Sequence, residues 1–164
     1  MNQLYGNQEK YVLIEVELPA GKDGNQMDVA SATVTFENPF TQQKEKESGR
    51  AQIRFSKSEE EVAQSKNAKV QKEYILNLGA IAKDKAISYA DKGKKKEAAR
   101  ELKKSIDQLK SYAGEYDDED ISQEAHEMEE AAQRIETEGM GKRDRKKFRT
   151  DSFRMKTQQK ALQK

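Results

Sequence analysis

Apolar positions in the middle of the chain recur at helical spacing. On residues 68–91, Tyr74, Leu78, Ile81, Ala82, Lys85, Tyr89 and Ala90 fall three and four apart. On residues 94–113 a stripe of the same period runs through Ala98, Leu102, Ile106, Leu109 and Ala113, with charged residues on the other faces. Between the stripes lies Asp91-Lys92-Gly93, where Gly93 suits the left-handed residue that closes a helix. The pattern predicts a helical hairpin with one apolar side.

Nearer the N-terminus the period changes from helical to alternating. Residues 9–18 read as the best strand, with Val12, Ile14, Val16 and Leu18 on one wholly apolar parity and Glu15 and Glu17 on the other. Pro19, Gly21 and Gly24 end it, and Asp23 and Asn25 supply turn chemistry. A second strand over about residues 27–37 places Ala30, Ala32, Val34 and Phe36 on one face and Ser31, Thr33 and Thr35 on the other. Asn38-Pro39 turns the chain into a third strand over about residues 44–55, with Ala51, Ile53 and Phe55 inward and Gly49 as a candidate bulge. Three strands with short connections predict an antiparallel meander with one buried face.

Ser58 followed by Glu61 is a capping box that starts a short helix, with a break expected near residues 65–67 before the hairpin. After the hairpin, Gly114 marks a helix end and residues 115–120 an acidic link. Ile121, Ala125, Met128, Ala131, Ala132 and Ile135 then form a third amphipathic stripe, closed by Gly139 and Gly141. The remainder scatters Phe148, Phe153, Met155 and Leu162 among basic residues and reads as a flexible tail. The expected fold is thus α+β. A β-meander over residues 1–57 packs on a hairpin over 58–113, followed by an acidic helix over 114–138 and a basic tail over 139–164.

Composition limits what such a fold can do. Only 34% of the 164 residues are hydrophobic against 37% charged, a thin supply of core that leaves part of the chain as solvated helix or tail. The absence of cysteine removes disulfides, thiolate nucleophiles and sulfur-ligated metals. No apolar run nears the roughly 18 residues of a membrane span, and a signal-peptide pattern is missing, so a cytoplasmic chain is expected. The net charge of +1 conceals two opposed segments. Residues 114–138 hold eleven acidic residues against one arginine, and residues 139–164 hold ten basic residues against two aspartates. They can neutralise each other or meet oppositely charged partners.

Candidate chemistry is sparse. His126 is the only histidine, near Glu127 and Glu130, and a lone histidine on a polar helix is usually surface decoration rather than a metal ligand or base. Asp117, Asp118, Glu119 and Asp120 lack the glycine and spaced ligands of a calcium loop. Gly139-Met140-Gly141 follows no strand and precedes no Gly-Lys-Ser/Thr, so it is no phosphate loop. Without a nucleophile–base set, a catalytic role is not expected, nor is a cofactor or metal. The basic tail is the stronger candidate. Lys142, Arg143, Arg145, Lys146, Lys147 and Arg149, with Phe148 and Phe153, suit a nucleic-acid backbone and its bases. The same composition suits an acidic protein surface, including the chain's own acidic helix, anionic lipid, or plain solvation.

The order of elements carries a resemblance. Leu4-Tyr5-Gly6-Asn7-Gln8 leading into the strand of Tyr11 to Leu18 and then Pro19-Ala20-Gly21 resembles the portion that follows the von Willebrand factor A domain in a group of bacterial proteins. Ala32-Thr33-Val34-Thr35-Phe36, the Asn38-Pro39 turn, Asp91-Lys92-Gly93 and Glu97-Ala98 are similar to the rest of that C-terminal region, so the resemblance spans roughly residues 4–109. The A domain itself grips a partner's carboxylate through Mg²⁺ held by Asp-x-Ser-x-Ser. That motif is absent, and the alternating strands and helices of its fold have no room here. The resemblance therefore implies an accessory module and transfers no metal-binding residue.

Two functions follow as expectations. The first is a protein–protein interaction or scaffolding module that accompanies an A domain. Its docking seam would be the open edge of residues 9–18, through Val12, Ile14 and Val16. The alternative is a nucleic-acid-binding module acting through the basic tail.

Overall fold

A computed structural model describes residues 10–157. Along them run β1 (Gln26–Glu37), β2 (Lys44–Arg54), α1 (Glu59–Gln64), α2 (Ala68–Asp91), α3 (Lys95–Tyr116), α4 (Glu119–Glu138) and α5 (Lys142–Thr157). The class is α+β. Leu13–Lys66 form one compact unit, and the rest of the described chain forms another.

In the first unit β1 and β2 make a two-stranded antiparallel ribbon, in register from Gln26 opposite Arg54 to Glu37 opposite Lys44. The turn between them is built on Asn38, whose Oδ1 accepts from the amides of Phe40 (2.9 Å) and Thr41 (3.4 Å). At the other end, the Gly24 amide donates to the Phe55 carbonyl (2.8 Å) and the Phe55 amide to Asn25 (2.9 Å), so pairing runs one step beyond the strands. Gly21 lies against the Phe55 ring, where a Cβ would sit 2.3 Å from a ring carbon. Ser58 caps α1 by accepting from the Glu61 amide at 3.2 Å, as the capping box predicts.

Three expectations for this unit need correction. Residues 10–18 form no strand, and residue 9 lies outside the described residues. A strand is held by a paired neighbour, and the alternation of Val12, Ile14, Val16 and Leu18 records only an apolar side, not a surface to receive it. The irregularity in the ribbon falls between Asp28 and Ala30, whereas Gly49 pairs in register with Ala32. The expected buried face is also missing. No residue from 13 to 66 is buried.

The second unit holds the core. The break at residues 65–67 is present, and Asn67 caps α2 by accepting from the Val70 amide at 3.1 Å. The hairpin turn is present too. Gly93 takes φ 72°, its amide donates to Ala90, and the Lys94 amide reaches back to Tyr89, both at 3.0 Å. This pair of bonds satisfies the last carbonyls of α2 and requires a left-handed residue at Gly93.

The α3 stripe of Ala98, Leu102, Ile106 and Leu109 is buried, with Ala113 packed at its end. The whole predicted α4 stripe is buried as well. These stripes cover one another and α2, helix on helix. The α2 stripe was expected in part correctly, with Ala82 buried and Tyr89 and Ala90 packed on the core. Ile75, Gly79, Ala82, Lys83, Ala86 and Ile87 are buried, while Tyr74, Ile81 and Lys85 are exposed. Gly114 does not end α3, which runs to Tyr116 and closes at Asp117 in the left-handed region (φ 51°). Asp118 then caps α4, accepting from the Ile121 amide at 3.1 Å, so the acidic link is two residues of cap and turn.

The basic tail is the largest correction. Residues 142–157 form α5, which packs on α2 with Phe148 and Ser152 buried. Phe148, Ser152 and the half-buried Met155 are four and three apart, one helical face whose middle position is a serine. The Ser152 hydroxyl donates to the Ala80 carbonyl at 3.3 Å, which lets a polar residue sit inside. Residues 158–164, with Leu162, lie outside the described residues.

Candidate interaction surfaces

The N-terminal segment presents an apolar line. Val12 is 66% and Ile14 70% exposed, and Val16 and Leu18 are exposed beyond them. Just before this line the chain is moored. The Tyr11 hydroxyl donates to Glu73 Oε2 at 2.5 Å, accepts from Asn77 Nδ2 at 3.3 Å, and lies 3.8 Å from the Met155 sulfur. On the ribbon, Ala32, Val34 and Phe36 share a face opposite Gly49, Glu47 and Glu45, and all six but the half-buried Glu45 are exposed. Phe40 at the turn is 95% exposed.

The six basic positions expected to bind a partner are divided by α5 into two sets. Arg145 pairs with Asp91 at the end of α2, and Lys147 pairs with Glu127 of α4. Farther along, Lys156 pairs with Asp84 of α2. The hydrogen bond from Lys147 holds the Glu127 carboxyl below its usual range, and Glu127 in turn raises Lys147. Lys142, Arg143, Lys146 and Arg149 are exposed. The opposed charges noticed in the sequence thus meet within the unit, and α4 spends its acids widely. Glu129 pairs with Lys110 at 2.8 Å and Glu136 with Lys103 at 2.5 Å, both on α3, and each carboxyl is lowered by its lysine.

The buried charge that holds α5 was not among the expected sites. Lys83, only 5% exposed, donates to Glu124 of α4 at 2.6 Å and to Asp151 of α5 at 3.0 Å. Its ammonium also stands 5.7 Å from the Phe148 ring centre. A lysine within an otherwise apolar stripe was the available signal, and its two acids are 41 and 68 residues away. A second such link ties Lys72 of α2 to Asp118 at 2.6 Å, lowering the carboxyl and raising the lysine through their hydrogen bond.

Other candidates find ordinary uses. His126 is exposed, 3.4 Å from Glu130. Asp117 and Asp118 close one helix and open the next. Met140, between the two glycines, packs on the core. A shallow groove of about 380 Å³ runs between α2 and α3, bordered by Val70, Tyr74 and Tyr112. Burial raises the Tyr112 phenol, whose hydroxyl donates to the Ala68 carbonyl at 3.1 Å. Among the described residues no group of His, Asp and Glu is arranged to hold a metal ion. Nor is any described helix long and apolar enough to cross a membrane.

Comparison with protein-family models, curated proteins and solved structures finds no match to this chain.

Proposed function

We propose that the chain is a non-catalytic protein-interaction or scaffolding module that works beside a von Willebrand factor A domain. The observation that carries this reading is the first unit, which has 54 residues and none of them buried. An isolated two-stranded ribbon is marginal in water, and it gains stability by burying apolar surface against something else. The line of Val12, Ile14, Val16 and Leu18 has β-forming residues and no partner strand in the ribbon. Such a segment docks by adding itself to another sheet, where backbone bonds give affinity and alternate side chains give specificity. The resemblance to the region following an A domain suggests the partner.

Hydrogen exchange tests it on the intact chain, alone and with an A-domain polypeptide expressed alongside. The amides of Val12, Ile14 and Val16 are expected to slow at least tenfold in the mixture. Rates that stay the same in both samples would overturn the reading.

A further inference from the structure

We propose that the outward face of α5 binds a single strand of nucleic acid, with Lys142, Lys146 and Arg149 on phosphates and Phe153 against a base. This surface lies on the helical unit and is independent of the N-terminal docking segment.

The argument starts from how the helix sorts its charges. Arg145, Lys147 and Lys156 are committed to acids of α2 and α4. Both acids of α5 are committed as well, Asp144 to Arg134 at 3.1 Å and Asp151 to Lys83. What remains on the exposed positions is Lys142, Arg143, Lys146, Arg149, Thr150, Phe153 and Arg154, without a carboxylate among them. Lys142, Lys146, Arg149 and Phe153 follow at intervals of four, three and four, so they share one face. Successive members are about 4.5–6 Å apart along the axis. A row of cations at that pitch fits a polymer that carries one charge per repeat. Five acids along α4 are already paired, Glu124, Glu127, Glu129 and Glu136 each with a lysine and Glu130 with Arg134.

Phe153 decides among polyanions. It is 59% exposed, and it sits on the basic face rather than on the buried one. An aromatic ring among cations offers a stacking platform for an unpaired base. A membrane-lying helix needs a whole apolar face turned outward, and here that face, with Phe148, is turned into the core. Protein interfaces are depleted in lysine at their centres, which disfavours an acidic protein as the occupant.

The test uses the intact chain and a fluorescein-labelled thymidine 15-mer, read by anisotropy from 50 to 200 mM salt. Binding is expected, with log K falling linearly against log salt at a slope of about −2 to −3.5, the range for three to five phosphates on a single strand. The double variant Lys146→Glu/Arg149→Glu is expected to bind at least about tenfold more weakly and to lose about 1.4 from the slope. Phe153→Ala is expected to weaken binding by about 5- to 100-fold. The proposal is overturned by no binding at 50 mM salt, or by double-variant binding equal to that of the native chain. It is equally overturned if poly-glutamate or phosphatidylserine vesicles bind as tightly as the oligonucleotide. Should the double variant melt early, the salt slope of the native chain and the two competitors decide alone.

Discussion

The two units divide the protein's apolar material in opposite ways. Among the described residues the helical unit carries every buried one, with Leu102, Leu109, Ile135 and Phe148 almost wholly enclosed. The ribbon unit is also rich in β-branched and aromatic residues, yet it encloses none of them. The difference lies in period and length. Stripes of 3.6-residue period on four helices of 16–24 residues can face one another and close a core. Two strands have one apolar face and nothing in their own unit to lay it on. One unit therefore encloses a core of its own, and the other leaves its apolar residues in contact with water.

Substitutions in the helical core should have the largest effects. Phe148→Ala removes a 2%-exposed ring from beneath α5 and is expected to cost about 3–5 kcal/mol. Leu102→Ala, at the centre of α3, is expected to cost about 2–5 kcal/mol. Urea melts measure both. A loss under about 0.5 kcal/mol for Phe148→Ala would mean that α5 does not dock, and the contrast between the units would shrink.

Next comes the buried lysine. Lys83→Met keeps much of the stem's volume but leaves Glu124 and Asp151 without their shared donor. Both acids retain some exposure, so water compensates in part, and a loss of about 1.5–3 kcal/mol is expected. Limited proteolysis should also show earlier cleavage within α5. A more stable Lys83→Met protein would show that the cation is a burden on α5 docking rather than its support.

How legible all this was depends on distance along the chain. The hairpin turn, the Ser58 cap and the α3 and α4 stripes are local patterns, and they were readable residue by residue. The α2 stripe was read correctly at Ala82, Tyr89 and Ala90 but not elsewhere, because Tyr74 and Ile81 are apolar yet face outward, while Lys83 is charged yet buried. The α5 helix was missed because Ser152 interrupts its apolar face and its docking depends on acids from α2 and α4. In contrast, residues 10–18 gave a false strand, since alternation specifies a face and not the neighbour that would pair with it. Of the basic positions, sequence could place the charge but not single out Arg145 and Lys147 as the two that pair with acids of the same unit.

A smaller effect sharpens the same contrast through pH. Glu127 and Asp118 have depressed carboxyls in the fold, so their contribution is complete above the ordinary carboxylate range near 4 and is lost as pH falls through the depressed values. Lys147 and Lys72 are raised, so theirs is complete below about 10.4 and is lost as pH rises through the raised values. The helical unit should hold a flat melting temperature between about pH 5 and 10 and fall off at either end. Exposed pairs of this kind contribute about 0.2–1 kcal/mol each. Glu127→Gln should soften the acid limb, and an unchanged limb would remove the Lys147 contact from the account.

The smallest expected effect is the one most informative about the ribbon. Val34 is exposed on β1, opposite Glu47, and Val34→Ala in the isolated chain should change stability by no more than about 0.5 kcal/mol. Hydrogen exchange of the β1 amides measures it better than a melt, because opening of the ribbon alone leaves the helical signal in place. Gly21→Ala serves as the internal control. Its new methyl would strike the Phe55 ring, so the pairing of Phe55 with Gly24 and Asn25 should loosen even though nothing there is buried. Faster exchange in Gly21→Ala but not in Val34→Ala is the result expected of a ribbon held by backbone pairing and local fit. If Val34→Ala instead costs more than about 1 kcal/mol, the apolar face of β1 is already covered in the isolated chain. The ribbon would then have no face to offer a partner, and the contrast drawn between the two units would fail at its weaker end.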